Sequence, residues 1–106
     1  MSTDLIVFIT TGNLEEARRI GSAVVEKRLA ACVNIFPEIE SIYWWEGKVT
    51  QDRESFLIAK TTVDRFAELE QTVKALHSYT TPEIIAFPIE RGSGEYLRWL
   101  RESVGS

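Results

Sequence analysis

The chain has 106 residues, 44% of them hydrophobic and 26% charged, with a formal net charge of −4. That length allows one domain with a real core but not two, and the composition is that of an ordinary globular protein. The acidic balance shows no basic patch in sequence, which argues against nucleic acid and against an anionic membrane surface as main partners.

Cys32 is the single cysteine. It leaves no internal disulfide framework and suits a reducing compartment. The chain runs from Met-Ser-Thr-Asp straight into a strand, without the basic and apolar stretches of a signal peptide. No apolar run approaches the ~20 residues of a membrane span. The expectation is a cytoplasmic protein with no membrane partner.

Leu5-Ile6-Val7-Phe8-Ile9 is a continuous apolar run that ends in Thr10-Thr11-Gly12. It predicts a strand buried on both faces. Asn13 with Glu16 three residues later is a capping pattern, in which Asn13 accepts from an early helix N–H and Glu16 reaches back. Ala17, Ile20, Gly21 and Val24 form the stripe of a first helix over 13–29.

Ala31 to Thr61 reads as a long hairpin turning at Glu46-Gly47. Each arm of roughly 14 residues, at ~3.3 Å per residue, would run about 45 Å. A domain of this size has a radius of gyration of only ~13 Å, so the hairpin should overhang. Pro37 lacks a ladder N–H and predicts a kink or bulge. Lys48 to Glu54 is polar, whereas Phe56-Leu57-Ile58-Ala59 is apolar and returns to the core.

Val63-Asp64 opens a second helix carrying Phe66, Leu69, Val73 and Leu76, which ends near His77 ahead of Ser78-Tyr79-Thr80-Thr81-Pro82. Glu83 to Ile89 is the last strand. Arg91-Gly92-Ser93-Gly94 is a turn, and a short terminal helix carries Tyr96, Leu97, Leu100 and Val104. The order β-α-β-β-α-β plus a helix is an α+β, ferredoxin-like arrangement in one domain over 1–106. Its two helices should cover one sheet face. The other face should alternate polar and apolar residues, but Leu5–Ile9, Phe56–Ala59 and Ile84–Ile89 do not. Another copy of the chain is the expected cover, in a symmetric homo-oligomer.

A set of segments carries a resemblance. They are Ala30-Ala31-Cys32-Val33-Asn34-Ile35, Ser41-Ile42-Tyr43-Trp44-Trp45-Glu46-Gly47, Glu54, Lys60-Thr61-Thr62, His77-Ser78-Tyr79-Thr80-Thr81-Pro82-Glu83-Ile84 and Tyr96-Leu97-Arg98-Trp99-Leu100. Over nearly its whole length the chain resembles the CutA family of divalent cation tolerance proteins. The resemblance implies a homotrimer in which long hairpins continue the sheets of neighbouring subunits, with clefts between subunits as in the PII signalling proteins. It also implies a role in tolerance of copper and other divalent metals.

His77 is the only histidine. Its imidazole could ligate Cu²⁺ or zinc if exposed at the helix end, or it could be a helix C-terminal residue favoured by the dipole. The resemblance favours the metal role for His77, and Glu83 is the candidate second ligand for weak binding. Thr10 and Leu76 stand where some relatives carry a cysteine and a second histidine, so a tight copper site of that type is not expected. Cys32 reads as a small buried hydrophobe. Tyr43, Trp44 and Trp45 could stack on a planar ligand, but on an overhanging arm they fit a trimer interface better. Alternation separates Trp44 from the other two.

Glu54, Lys60 and Glu83 are charges beside apolar strand segments, and the plain expectation for them is an intersubunit ion pair. The alternative is an intersubunit cleft with Lys60, Tyr79 and Glu54, lined also by His77. No nucleophile with a base and no nucleotide fingerprint appears. The expectation is therefore a non-enzymatic trimer of metal homeostasis that binds Cu²⁺ or a similar ion weakly. The other reading is a PII-like signalling or scaffold trimer that takes a small ligand or a partner protein.

Overall fold

A computed structural model describes residues 3–105. Met1, Ser2 and Ser106 of the expected 1–106 domain lie outside the described residues. The elements are β1 (Asp4–Thr11), α1 (Leu14–Glu26), β2 (Cys32–Trp45), β3 (Lys48–Thr62), a 3-10 turn (Val63–Arg65), α2 (Phe66–Leu76), β4 (Ile84–Pro88) and α3 (Gly94–Val104). The strands form one antiparallel sheet ordered β2-β3-β1-β4. This is the ferredoxin-like order that the sequence predicts.

One sheet face carries the core. Val7 and Ile9 of β1 and Leu57 and Ala59 of β3 meet Ala17, Ile20 and Val24 of α1 and Leu69 and Val73 of α2. Each large side chain buried there contributes about 1.5–3 kcal/mol. The Asn13 side chain caps α1 by accepting from the Glu16 N–H at 2.8 Å. The helix stops three residues short of the expected 29 because Arg28 adopts a left-handed φ of 58°. That turn lets Leu29 and Ala30 both donate to the Val24 carbonyl, at 2.8 and 3.1 Å, and drops both side chains into the core. Their burial offsets the cost of a non-glycine residue in that region.

The second helix starts later than expected. The Thr62 hydroxyl donates to Asp64 Oδ1 at 2.6 Å, and Val63–Arg65 winds as a 3-10 turn before α2 begins. His77 is already extended, with φ −84° and ψ 140°. The last strand is Ile84–Pro88, one residue shorter at each end than predicted.

The hairpin overhangs as its length requires. β1 pairs with β3 only from Ser55 to Thr62. Beyond Ser55, residues 39–45 of β2 and 48–54 of β3 pair with each other alone. The molecule is elongated accordingly, at 44 × 25 × 22 Å. Glu46 and Gly47 have φ of 50° and 77°, the geometry of a two-residue turn whose twist matches the strands. The expected bulge falls between Phe36 and Ile39, around Pro37. The Ser55 hydroxyl donates to the Pro37 carbonyl there at 2.7 Å.

The face opposite the core is apolar, as the unbroken runs predict. The Phe8 ring meets the Phe56 and Phe87 rings edge-on, each at 5.0 Å, and Phe36 lies 5.9 Å from Phe56. α3 covers one end of this face by burying Leu100 and Val104. Arg101 clamps buried Asp4 there in a two-pronged contact at 3.0 and 2.7 Å. Phe36 (50%), Ile85 (53%) and Phe87 (41%) remain exposed. Among the described residues no helix is long and apolar enough to cross a membrane.

Candidate functional site

His77 does not present its ring to solvent. Its side chain is 0% exposed. The Nδ1 atom accepts the Tyr79 N–H at 3.0 Å, and Nε2 stands 2.7 Å from the Thr10 carbonyl, to which the neutral ring donates. Both nitrogens are therefore used within one chain, and the exposed imidazole expected from a helix end is corrected. The extended backbone at His77 turns the ring inward against β1. Its neighbouring carboxylate is Glu16, 4.0 Å from Nδ1, not Glu83. Leu76 packs on the core, and Thr10 supplies only its backbone to this contact.

Glu16 is a residue the capping pattern misassigned. Its carboxylate does not close a capping box. One oxygen accepts the Ser78 N–H at 2.6 Å and the other accepts the Ser78 hydroxyl at 3.1 Å. A buried carboxylate thus fixes the loop that follows α2.

That loop carries Tyr79 to the base of the arm. The Tyr79 ring passes close over Gly12, where a Cβ would make ordinary van der Waals contact with the phenol at 3.4 Å. The Tyr79 hydroxyl donates to Glu54 Oε2 at 2.8 Å. Higher on the same face, the Tyr43 hydroxyl donates to Asp52 Oδ2 at 2.5 Å. The turn register explains the second pair. It sets Ser41 opposite Asp52 and Tyr43 opposite Thr50, so Tyr43 and Asp52 are diagonal neighbours.

These groups line a cleft of about 650 Å³ that also takes in Trp45, Ser41, Ile42, Thr80, Thr81 and Glu83. Both phenols hold their protons more tightly than usual. The hydrogen bond to Asp52 is the main cause pushing Tyr43 up to about 12. Burial, then the bond to Glu54, raises Tyr79 well above the usual phenol range. Burial, then the nearby Glu54 charge, raises the Glu83 carboxyl.

Tyr79 and Glu54, expected to line a cleft between subunits, already meet within one chain, and Glu83 joins them. Lys60 does not in one chain. It sits six positions along β3 from Glu54, about 20 Å at strand spacing, opposite Ile6 and Cys32, and its ammonium bonds Asn34 Oδ1. Trp44 points away from the cleft beside Val49 and is 74% exposed, as alternation requires. Cys32 is half-buried, with Sγ 3.7 Å from the Tyr96 hydroxyl. Asp52 was not singled out in sequence, although counting back from Glu46-Gly47 places it beside Tyr43. Among the described residues, no group of three or more His, Cys, Asp or Glu side chains could hold a metal ion.

Comparison with known proteins places this architecture. Residues 5–103 match the family described as CutA1 divalent ion tolerance protein. The divalent-cation tolerance protein CutA of Thermus thermophilus is 55% identical over 100 residues, which is 94% of this chain and 97% of the relative. Human Protein CutA is 45% identical over 95 residues, 90% of this chain and 53% of the relative. The solved Cut A1 structure from Thermus thermophilus matches with a TM-score of 0.94 at 54% identity, covering 96% of this chain and 99% of that one. The structure described as the periplasmic divalent cation tolerance protein CutA from Archaeoglobus fulgidus matches with a TM-score of 0.92 at 52% identity, covering 95% and 98%. Sequence, fold and hairpin all agree, and the chain belongs to the CutA1 divalent ion tolerance family.

Proposed function

We propose that the protein serves divalent-cation tolerance as a homotrimeric binding protein rather than an enzyme, and that it holds cations loosely in the cleft at the base of the arm. The observation that carries the cation reading is that Asp52, Glu54 and Glu83 share one cleft while no ion pair among the described residues involves any of them. Uncompensated carboxylates in a partly desolvated site attract positive charge. They do not converge as a three-donor group, which suits loose rather than tight binding. Cu²⁺ at His77 would have to displace two hydrogen bonds from a buried ring, so the cleft carboxylates are the better contact.

The trimer rests on two surfaces. The arm has no third strand beyond Ser55, and the open face leaves Phe36, Ile85 and Phe87 exposed. Sedimentation should give three subunits. A stable monomer at micromolar concentration would sink the assembly. Titration calorimetry with Cu²⁺ and Mn²⁺ should show binding weakened in Glu83→Gln with Asp52→Asn and kept in His77→Ala. Equal binding in every variant removes the cleft from the account.

A second reading has its own support. The cleft volume of about 650 Å³ falls in the range of small-molecule sites, and its aromatic walls are unlike a bare ion site. A PII-like trimer that takes a small ligand or a partner there fits these features.

A further inference from the structure

Glu54 is only 8% exposed. Its carboxylate receives one hydrogen bond, from neutral Tyr79, and no ion pair among the described residues reaches it. A carboxylate this deep favours a cationic neighbour. The charge of Glu54 is felt across the cleft by Glu83. Along β3, Arg53 lies 3.8 Å from Glu38 and Lys60 bonds Asn34, while Lys48 stands at the arm tip opposite Trp45, six positions from Glu54.

The rest of the cleft selects among cations. Tight coordination of a divalent metal requires several converging oxygens, and among the described residues no such group of three exists, so a metal ion is held there only loosely. Tyr43, Trp45 and Tyr79 supply aromatic wall instead. Aromatic faces attract ammonium groups and pack against the methylenes that carry them. An alkylammonium also brings three N–H donors for the carboxylate oxygens that the phenols leave free. The cleft is too large for one ammonium alone, and Asp52 offers a second anionic point toward the arm tip.

We propose that the cleft binds an aliphatic diamine or polyamine, with one ammonium at the Glu54–Glu83 end, another at Asp52, and the alkyl chain along Tyr43 and Trp45. This rests on reading the cleft as a ligand site.

The test is calorimetry on the assembled protein with putrescine and spermidine, with n-butanol and Mg²⁺ as controls. Both amines should bind and butanol should not. Glu83→Gln and Asp52→Asn should each weaken putrescine by about tenfold, with thermal melts confirming that the variants fold. No amine binding at millimolar concentration overturns the proposal, including the case in which a neighbouring subunit's side chain already fills the cleft. Unchanged affinity in both variants also overturns it. A Cu²⁺ or Mn²⁺ titration of the same sample separates the levels. Cation binding that survives amine failure sinks this inference alone, and loss of every ligand sinks the cleft itself.

Discussion

The Tyr79 phenol donates to Glu54 at 2.8 Å across 25 positions of sequence. This bond joins the loop after α2 to the base of the arm. Tyr79→Phe leaves a deeply buried carboxylate without its donor, which costs about 1–3 kcal/mol. The variant should melt several degrees lower while keeping its far-ultraviolet dichroism. An unchanged melting temperature would show that water replaces the phenol at no cost.

Alkaline pH should weaken the ligand-free protein. Both cleft phenols hold their protons more tightly when folded, Tyr43 up to about 12 and Tyr79 also raised. Between the ordinary phenol value of about 10 and the raised values, the folded state binds more protons than the unfolded one, so stability falls as pH rises. The contribution is complete below about pH 10 and is lost as pH climbs through the raised values. Urea melts across that window should show a shallower decline in Tyr79→Phe than in the wild type.

Glu83 runs on the same sign in acid. Its carboxyl is raised from an ordinary 4.5, so the folded state prefers it neutral. Its contribution is full below that value and lost as pH rises through the raised one. Glu83→Gln should therefore be more stable than the wild type at neutral pH without ligand, and the gap should close below about pH 4. A constant gap would mean that the carboxyl titrates normally.

His77→Ala removes the partner of both the Thr10 carbonyl and the Tyr79 N–H. The expected loss is about 2–4 kcal/mol. Hydrogen exchange should locate it, with the Tyr79 amide exchanging much faster. Protection retained at Tyr79 would show that Glu16 alone holds the loop.

The turn gives the mildest test. Gly47 sits at φ 77° and Glu46 at φ 50°. Gly47→Ala should lower stability by about 1 kcal/mol, and Glu46→Asn should raise it by a few tenths. Chemical denaturation resolves both. No change in either variant would show that the turn's left-handed backbone carries no strain.

The sheet order, both core helices and the overhang were legible because each follows from a period or a length. Leu5–Ile9 and Phe56–Ala59 are apolar on successive residues, which forced both faces to be covered. The helix ends were less legible, since Arg28 turns left-handed for the benefit of Leu29, a contact outside its own helix. The site was legible in part. Tyr79 and Glu54 were both named as cleft residues, but their bond within one chain was not foreseen, whereas Asp52 was within reach of simple counting from the turn. Glu16 was not, because its Ser78 partners lie 62 positions away and a local capping pattern already accounted for it. His77 misled for a similar reason. A helix end suggests solvent, but the loop beyond it is pulled down by Glu16 and takes the ring inside. Lys60 lies about 20 Å along β3 from Glu54 in one chain, a separation that strand spacing alone gives.

Ser55 does two things at once. It is the last β3 residue to pair with β1, and its hydroxyl fixes the Pro37 bulge. Everything beyond it is a ladder of two strands whose side chains alternate faces. The length of that ladder is consequently quantised. Inserting one residue in each strand would carry Tyr43 and Asp52 to the back of the ribbon and bring Trp44 and Val49 to the cleft. Inserting two in each would lengthen the reach by about 7 Å and keep every residue on its present side. Variation in arm length within this architecture is therefore confined to matched, even steps, or must be absorbed by a new bulge.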